Sequence, residues 1–273
     1  MFKLWRLSIN FLKKISLLAS ICLIAYFCFP ITGYFTFFIV FLIFGIVDVL
    51  RHQNVNKFLL KKYFLSKGIL TFILSPINLF SDLISKANSH HFKLSSMPKS
   101  HQDEINEIIR LFDKNKIQIK KQFHKEKNSK RTMIFYRWYG NQLNKSIPDL
   151  NKDFKYIKTI GVSLFREKTR TSKHFGPLRL SYRVLYNFNK VKNPGSFIEV
   201  DNVKNRWKDN PLFIFDDTLI HQSINEEDDL RYCAFIDILR PTYSYFTLNF
   251  LMHCVNFFMK YSKGIFYKNW KVI

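Results

Sequence analysis

The stretch that decides the fold is WKDNPLFIFDDTLIHQSINEEDDLRYCAFIDILRP, residues 207–241. Within it, LFIFDD and RYCAFIDIL are short runs of β-branched and aromatic residues. The cluster Asp209-Asn210-Pro211 bounds the first run and a polar, acidic segment separates the two, which is the pattern of strands joined by turns. His221 lies in this stretch, and Arg231 follows ten residues later.

The same texture extends upstream. TMIFYRWYG, YIKTIGVSLF, RLSYRVLYNF and SFIEV read as further strands, with Asn193-Pro194-Gly195 as another turn. Many short strands with polar turns predict a mainly β sandwich, barrel or jelly roll. KHFGPLRLSYRVLYNF, residues 173–188, reads as a strand-like stretch with His174 at its head and Arg183 nine residues on. Two histidines on separate strands of a jelly roll can face one cavity, and neutral imidazole is a common ligand for Fe(II), Cu and Zn. Two arginines that each follow a histidine can hold a dicarboxylate through paired, charge-assisted hydrogen bonds. Spacing alone leaves the alternative that these histidines are structural.

From about residue 130 to 242 the chain resembles the aspartyl/asparaginyl β-hydroxylase family of Fe(II)/2-oxoglutarate dioxygenases, which includes bacterial lipid A 2-hydroxylases. HFGP at 174–177 resembles the family's first histidine block, and Trp207 to His221 its second. FDDTLIH followed by RYCAFIDILRP is the more specific signal; HFGP alone is weak. The resemblance implies a double-stranded β-helix (jelly roll) and oxygen-dependent hydroxylation coupled to 2-oxoglutarate decarboxylation. It implies His174 and His221 as Fe(II) ligands. It also implies that Arg231 and Ser163 hold the distal carboxylate of 2-oxoglutarate and that Arg183 faces its metal-side carboxylate. Two departures stand out. Gly176 replaces the carboxylate of the usual dioxygenase triad, a gap the family tolerates, and Leu185 stands where the family often has histidine. Asp216 and Asp217 read as strand-end caps that orient their neighbours, with a carboxylate offered to iron as the alternative. Trp138 is expected at the pocket edge and Trp207 in the core. His52, His90, His91, His101, His124 and His253 show no partner pattern and are expected at the surface or an interface.

Outside this block the text changes. No charged residue occurs from Ile15 to Val47, Lys3, Arg6, Lys13 and Lys14 precede the run, and Arg51, Lys57, Lys61 and Lys62 follow it. A single span needs roughly 20 residues. The run is therefore read as an N-terminal membrane helical hairpin turning at Pro30-Ile31-Thr32-Gly33, with both ends on the cytoplasmic side. Residues 57–86 alternate lysines with Leu, Phe and Ile around Pro76; they suit helices lying in the membrane interface or packed on the soluble domain. Residues 102–126 read as an amphipathic helix with Ile105, Ile108, Ile109, Phe112 and Ile117 near helical spacing. The tail sets Asn249, His253, Asn256, Lys260 and Lys263 against Phe250, Leu251, Cys254, Val255, Phe257 and Phe258, as an in-plane helix or one packed on the hairpin.

The expected organisation is a hairpin at 1–56, an interfacial segment at 57–94, the dioxygenase domain at 95–242 and a membrane-associated helix at 243–273. The formal net charge is +23 over 273 residues, which suits an anionic membrane face; no nucleic-acid partner is expected. The four cysteines form no CxxC pair, in keeping with a reducing, cytosolic catalytic side at the inner membrane. The leading expectation is an acyl-chain hydroxylase of a membrane lipid, of lipid A or aminolipid type, with molecular oxygen as co-substrate. The alternatives are a peptidyl aspartyl/asparaginyl hydroxylase and a non-catalytic basic membrane tether.

Overall fold

A computed structural model of the chain describes residues 31–124, 129–260 and 271–272. The chain divides into two compact units, residues 1–47 and 48–273. Helix α1 (Ile31–Val49) begins in the first and ends in the second. Of the expected turn at 30–33, Ile31 to Gly33 lie in the first turn of α1; Pro30 and the first arm of the hairpin fall outside the described residues. Phe35, Phe38 and Ile43 of α1 are exposed. No helix among the described residues is long and apolar enough to cross a membrane, so the hairpin has no support here.

In the second unit, short helices α2 (Lys57–Leu65), α3 (Ile69–Ile73) and α4 (Ser75–Ile84) come first. Asn56 caps α2 through its side-chain oxygen, and Pro76 sits in the first turn of α4, where a missing N–H costs nothing. Strand β1 (His91–Phe92) and the long helix α5 (Lys99–Phe123) follow. The rest of the β structure is β2 (Arg131–Trp138), β3 (Asn141–Gln142), β4 (Ile157–Phe165), β5 (Thr169–Arg170), β6 (Ser181–Asn187), β7 (Ser196–Val200), β8 (Val203–Arg206), β9 (Leu212–Phe215), β10 (His221–Asn225) and β11 (Arg231–Leu239). Helix α6 (Tyr245–Lys260) and β12 (Lys271–Val272) close the chain.

The strands form two sheets. The larger runs β1-β9-β6-β11-β4-β2-β12, with β3 also paired to β2; the smaller runs β5-β10-β7-β8. Every described pairing is antiparallel except β12 with β2. Apart from the β2–β3 and β7–β8 pairs, consecutive strands lie apart in the sheets, as in a jelly-roll-like fold.

The large sheet is covered on both faces, which explains why β11 is buried at every position instead of alternating. On one face, Ile134, Ile160, Val162, Val184, Ala234 and Ile236 pack against Ile105, Ile108, Phe112, Ile119 and Phe123 of α5. On the other, Met133, Phe135, Leu185, Phe213, Phe215, Cys233 and Phe235 meet Ile198 and Val200 of the small sheet, with Trp207 between. The two-residue turn Asp201-Asn202 joins β7 to β8 with both residues at positive φ, the turn whose twist suits a hairpin.

Several expectations need correction. Ile117 is exposed and Ile119 takes the core position, because 119 lies seven residues, two full turns, beyond Phe112 and 117 does not. Residues 175–180 are not a strand: β6 starts at Ser181, so His174 and Arg183 sit on separate elements. Of the two readings of 57–86, packing on the β domain is the one seen, with Leu59 and Tyr63 meeting Phe175. Helix α6 also packs there: Leu248 and Met252 meet Leu178, Leu180 and Leu239, while Phe246, Phe250 and Phe257 are exposed. Asn256, expected on a solvated stripe, accepts a hydrogen bond from Asn141. His52 and His101 are buried.

Phe112 is fully buried and stacks with Phe188 at 6.0 Å between centroids. Phe112→Ala should lower the unfolding free energy by about 3–5 kcal/mol, whereas Ile117→Ala should change it by less than about 0.5 kcal/mol; denaturant melts of the two variants check this.

Candidate active site

His221 opens β10, and His174 lies opposite it in an isolated antiparallel bridge. Each backbone N–H donates to the other's carbonyl, at 3.0 and 2.9 Å. The facing backbones bring the imidazole centroids to 4.2 Å. In each ring Nδ1 meets a carbonyl two residues upstream: Ser172 O at 2.7 Å for His174, Leu219 O at 2.8 Å for His221. A carbonyl only accepts, so Nδ1 carries the proton and Nε2 keeps its lone pair. Burial, with the neighbouring His221, pushes His174 down to about 3, and burial pushes His221 down to about 4. Both rings are neutral near pH 7, the form that ligates metal.

Asp217 stands beside this pair. Its Oδ1 is 3.4 Å from His221 Nε2 and has no hydrogen-bond partner; its Oδ2 accepts from Arg183 Nη2 at 3.0 Å. Arg183 also donates through Nε to Asp237 at 2.6 Å and lies 3.6 Å from the Phe235 ring centroid. Burial, reinforced by Asp217, raises the Asp237 carboxyl against the opposing pull of Arg183. The surroundings of Gly176 show why glycine stands at this position. A Cβ built there would come within 2.1 Å of Asp217 Oδ2 and 2.8 Å of Asp217 O. The Asp217 carboxylate fills the space that a side chain at 176 would need.

Arg231 lies on the inner face of β11, where it is buried with no carboxylate against it among the described residues. Its guanidinium donates to Ser223 Oγ at 2.9 Å and Ile224 O at 3.4 Å and covers the Phe165 ring at 3.9 Å, and Nε is unpaired. Burial pulls its pKa down to about 10. A buried cation without a counter-ion is costly, and a carboxylate from outside the chain would relieve it. The buried indole Nε1 of Trp207, whose ring centroid is 5.8 Å from the guanidinium, is a second donor without a partner. Ser163 faces Cys233 across the β4–β11 ladder, two residues from the Arg231–Phe165 pair, and donates to Cys233 O at 3.1 Å. Leu185 pairs with Phe235 on the same inner wall.

Asp216, next in sequence to Asp217, has a different role. It accepts from Thr218 Oγ1 and N, from Arg51 Nη1 at 3.0 Å, and pairs with Arg179 Nε at 3.1 Å. Burial would raise its pKa, but Arg179, Arg51 and Arg240 together hold it well below the carboxylate range. Arg179 further binds Asp48 and, at 2.7 Å, Asp82, while Arg240 reaches Asp82 at 2.6 Å. The expectation that both aspartates are caps therefore holds for Asp216, while Asp217 faces the histidine pair. Arg179 and Asp48 were not singled out by their sequence pattern.

The geometry thus gathers His174, His221, Arg183 and Asp217 at one end of the interior and places Arg231 and Ser163 farther along β11 and β4. Among the described residues no three His, Cys, Asp or Glu side chains converge as metal ligands, so the donor set is the pair of imidazoles. Two neutral imidazoles with free Nε2 atoms suit Fe(II), and the unpaired, buried Arg231 suits a dicarboxylate.

A family model described as aspartyl/asparaginyl beta-hydroxylase matches residues 99–241, more than half of the chain. No curated protein matches. Among solved structures, the TT1209 protein of Thermus thermophilus is 11% identical with a TM-score of 0.26, over 33% of this chain and 79% of that one. An oxidoreductase of the 2OG-Fe(II) oxygenase family from Burkholderia pseudomallei is 11% identical with a TM-score of 0.26, over 32% of this chain and 44% of that one. A salicylate 1,2-dioxygenase from Pseudaminobacter salicylatoxidans is 10% identical with a TM-score of 0.31, over 54% and 36%. The chain spans less than half the length of each of these last two. By this match the chain belongs to the aspartyl/asparaginyl β-hydroxylase family and is an oxygenase of hydroxylase type, and that membership implies Fe(II) and 2-oxoglutarate.

Proposed function

We propose that this enzyme hydroxylates an acyl chain of a membrane lipid, working from the cytoplasmic face of the inner membrane. The observation that carries this reading is the number of large apolar side chains exposed on the helices that flank the dioxygenase domain. Leu65 on α2, Leu83 on α4, and Phe246 and Phe250 on α6 are exposed, as is Tyr243 just before α6. The end of α4 and the start of α6 adjoin, since Tyr243 N and Thr242 Oγ1 both donate to Ile84 O. Lysines border these residues: Lys62 lies over Phe58 at 5.0 Å and Lys86 over Tyr243 at 5.7 Å. Exposed aromatics rimmed by lysine suit an anionic lipid surface. Each CH₂ of an acyl chain favours the bilayer by about 0.8 kcal/mol, so an enzyme acting on it does best by coming to the membrane.

Fe(II) with 2-oxoglutarate supplies the oxygen activation that hydroxylates an unactivated C–H bond. The chain supplies the rest. His174 and His221 present Nε2 in fixed orientation, Arg231 with Ser163 would hold the distal carboxylate of 2-oxoglutarate, and Phe165, Trp207, Phe213 and Phe235 line the interior with apolar surface. Arg183 fixes Asp217 beside the metal side of the site, with its charge shared between Asp217 and Asp237.

2-Oxoglutarate should raise the melting temperature of the wild-type protein and leave that of Arg231→Met unchanged. Arg231→Lys, which loses the planar fork, should raise the apparent KM for 2-oxoglutarate by about two orders of magnitude. Expression of the wild type should add one oxygen to an acyl chain of a membrane lipid, next to the carbonyl, and His174→Ala should abolish that mass shift. Unchanged lipids together with hydroxylated Asp or Asn in a protein would assign the enzyme to peptidyl substrates instead.

A further inference from the structure

Both histidine loops are gripped from outside by the helical segment 48–84, which lies ahead of the residues matched by the family. Thr71 on α3 donates through Oγ1 to Gly176 O at 3.0 Å, two residues past His174. His52, just beyond α1, accepts through Nε2 from the backbone N–H of Ile220 at 3.2 Å, one residue before His221. His52 Nδ1 lies 2.9 Å from Val49 O, so that nitrogen holds the proton and Nε2 is left as acceptor. Burial keeps the ring neutral.

Apolar contacts repeat the arrangement. Phe175, which follows His174, is buried in a cluster with Val49, Leu59 and Tyr63, and Ile220, which precedes His221, packs against the same cluster. The edges of the His52 and Tyr63 rings meet Phe175 at 5.6 and 5.8 Å between centroids. Residues 175–180 belong to no strand, and His174 is tied to the small sheet only by its bridge to His221. The domain itself holds each of these stretches by a main-chain bond, Gly176 N–H to Asp217 O at 2.7 Å and Asp201 N–H to Ile220 O at 2.9 Å, and the helical segment adds one hydrogen bond and one apolar plug to each loop.

We infer that His52 and Thr71 are positioning residues for the metal centre: they set the separation of the His174 and His221 imidazoles through Ile220 N–H and Gly176 O. The inference rests on the reading of those two histidines as the metal ligands. Groups that orient ligands from outside the coordination sphere have effects of this size on metal affinity.

The test is a titration of metal-free, full-length protein with Co(II) chloride, followed by the visible d–d absorption of the bound ion. His52→Leu and Thr71→Val should each weaken Co(II) binding about 10–100-fold and change the d–d band pattern. His52→Gln and Thr71→Ser retain an acceptor and a donor at the same places and should restore affinity to within about threefold of wild type, along with its spectrum. Thr71→Val conserves shape and decides alone if His52→Leu does not fold. A folded Thr71→Val protein with wild-type affinity and spectrum overturns the inference. A wild-type protein that binds no Co(II) overturns the metal reading itself, and the inference with it.

Discussion

Everything around the site depends on a buried knot of six charges. Asp48, Asp82 and Asp216 meet Arg51, Arg179 and Arg240, so the knot is neutral as a whole. Taking such groups out of water costs several kcal/mol per ion and is offset only when every member keeps its partners. Arg179 is the centre: its nitrogens reach all three aspartates and Thr218, and its carbonyl accepts from Ser81 and Arg240. Because Arg179 follows the first histidine loop and Asp216 leads into the second, the knot ties both loops to one point. Tyr63 adds a hydrogen bond to Asp48, and burial with that carboxylate raises its hydroxyl pKa far above the usual range. Loss of any one member would leave a buried charge uncompensated, which is why the knot fixes geometry more than it adds stability.

Much of the domain was legible in the sequence, and the reason is periodicity. β4, β6, β7, β9 and β11 fall within the runs rich in β-branched and aromatic residues, and β2 starts one residue before its run; the strands of the large sheet, covered on both faces, carry long apolar stretches. β10 was not legible as a strand: HQSIN has one apolar residue, Ile224, and its His221 serves the site. The pairs β5 and β12 are two residues long and leave no pattern. The four roles that matter most at the site could be read only in part. His174, His221 and Arg231 lie in motif blocks; Asp217 was visible as a residue, but nothing local separates it from Asp216. What separates them is which side of the chain each faces, and that is set by Arg179 from 37 residues upstream. His52 and Thr71 carry no signal at all, because their partners are main-chain groups.

The site and the surface answer different questions. The interior, with two neutral imidazoles at one end and a partnerless guanidinium at the other, specifies the chemistry without reference to what is hydroxylated. On the proposed reading, choice of substrate falls to elements outside the sandwich. Those elements, α2 to α4 and α6, are amphipathic in an uneven way. They bury residues such as Tyr63, Leu248 and Met252, and α2, α4 and α6 leave aromatic or branched residues uncovered. The helices that hold the histidine loops are therefore also the ones that show apolar side chains to the surroundings, and so the same segment links metal geometry to whatever covers its outer face.

The fit between Gly176 and Asp217 also constrains how such a site can change by mutation. With a carboxylate oxygen 2.1 Å from where a Cβ would stand, no residue but glycine is admitted at 176 while Asp217 keeps its place. A chain of this kind cannot regain the usual triad by a single substitution, because the new carboxylate and the old one claim the same volume. Nor does shortening residue 217 suffice, since its backbone carbonyl, 2.8 Å from the same point, must also yield. The two positions are therefore coupled, and the effect of a substitution at one depends on the residue at the other.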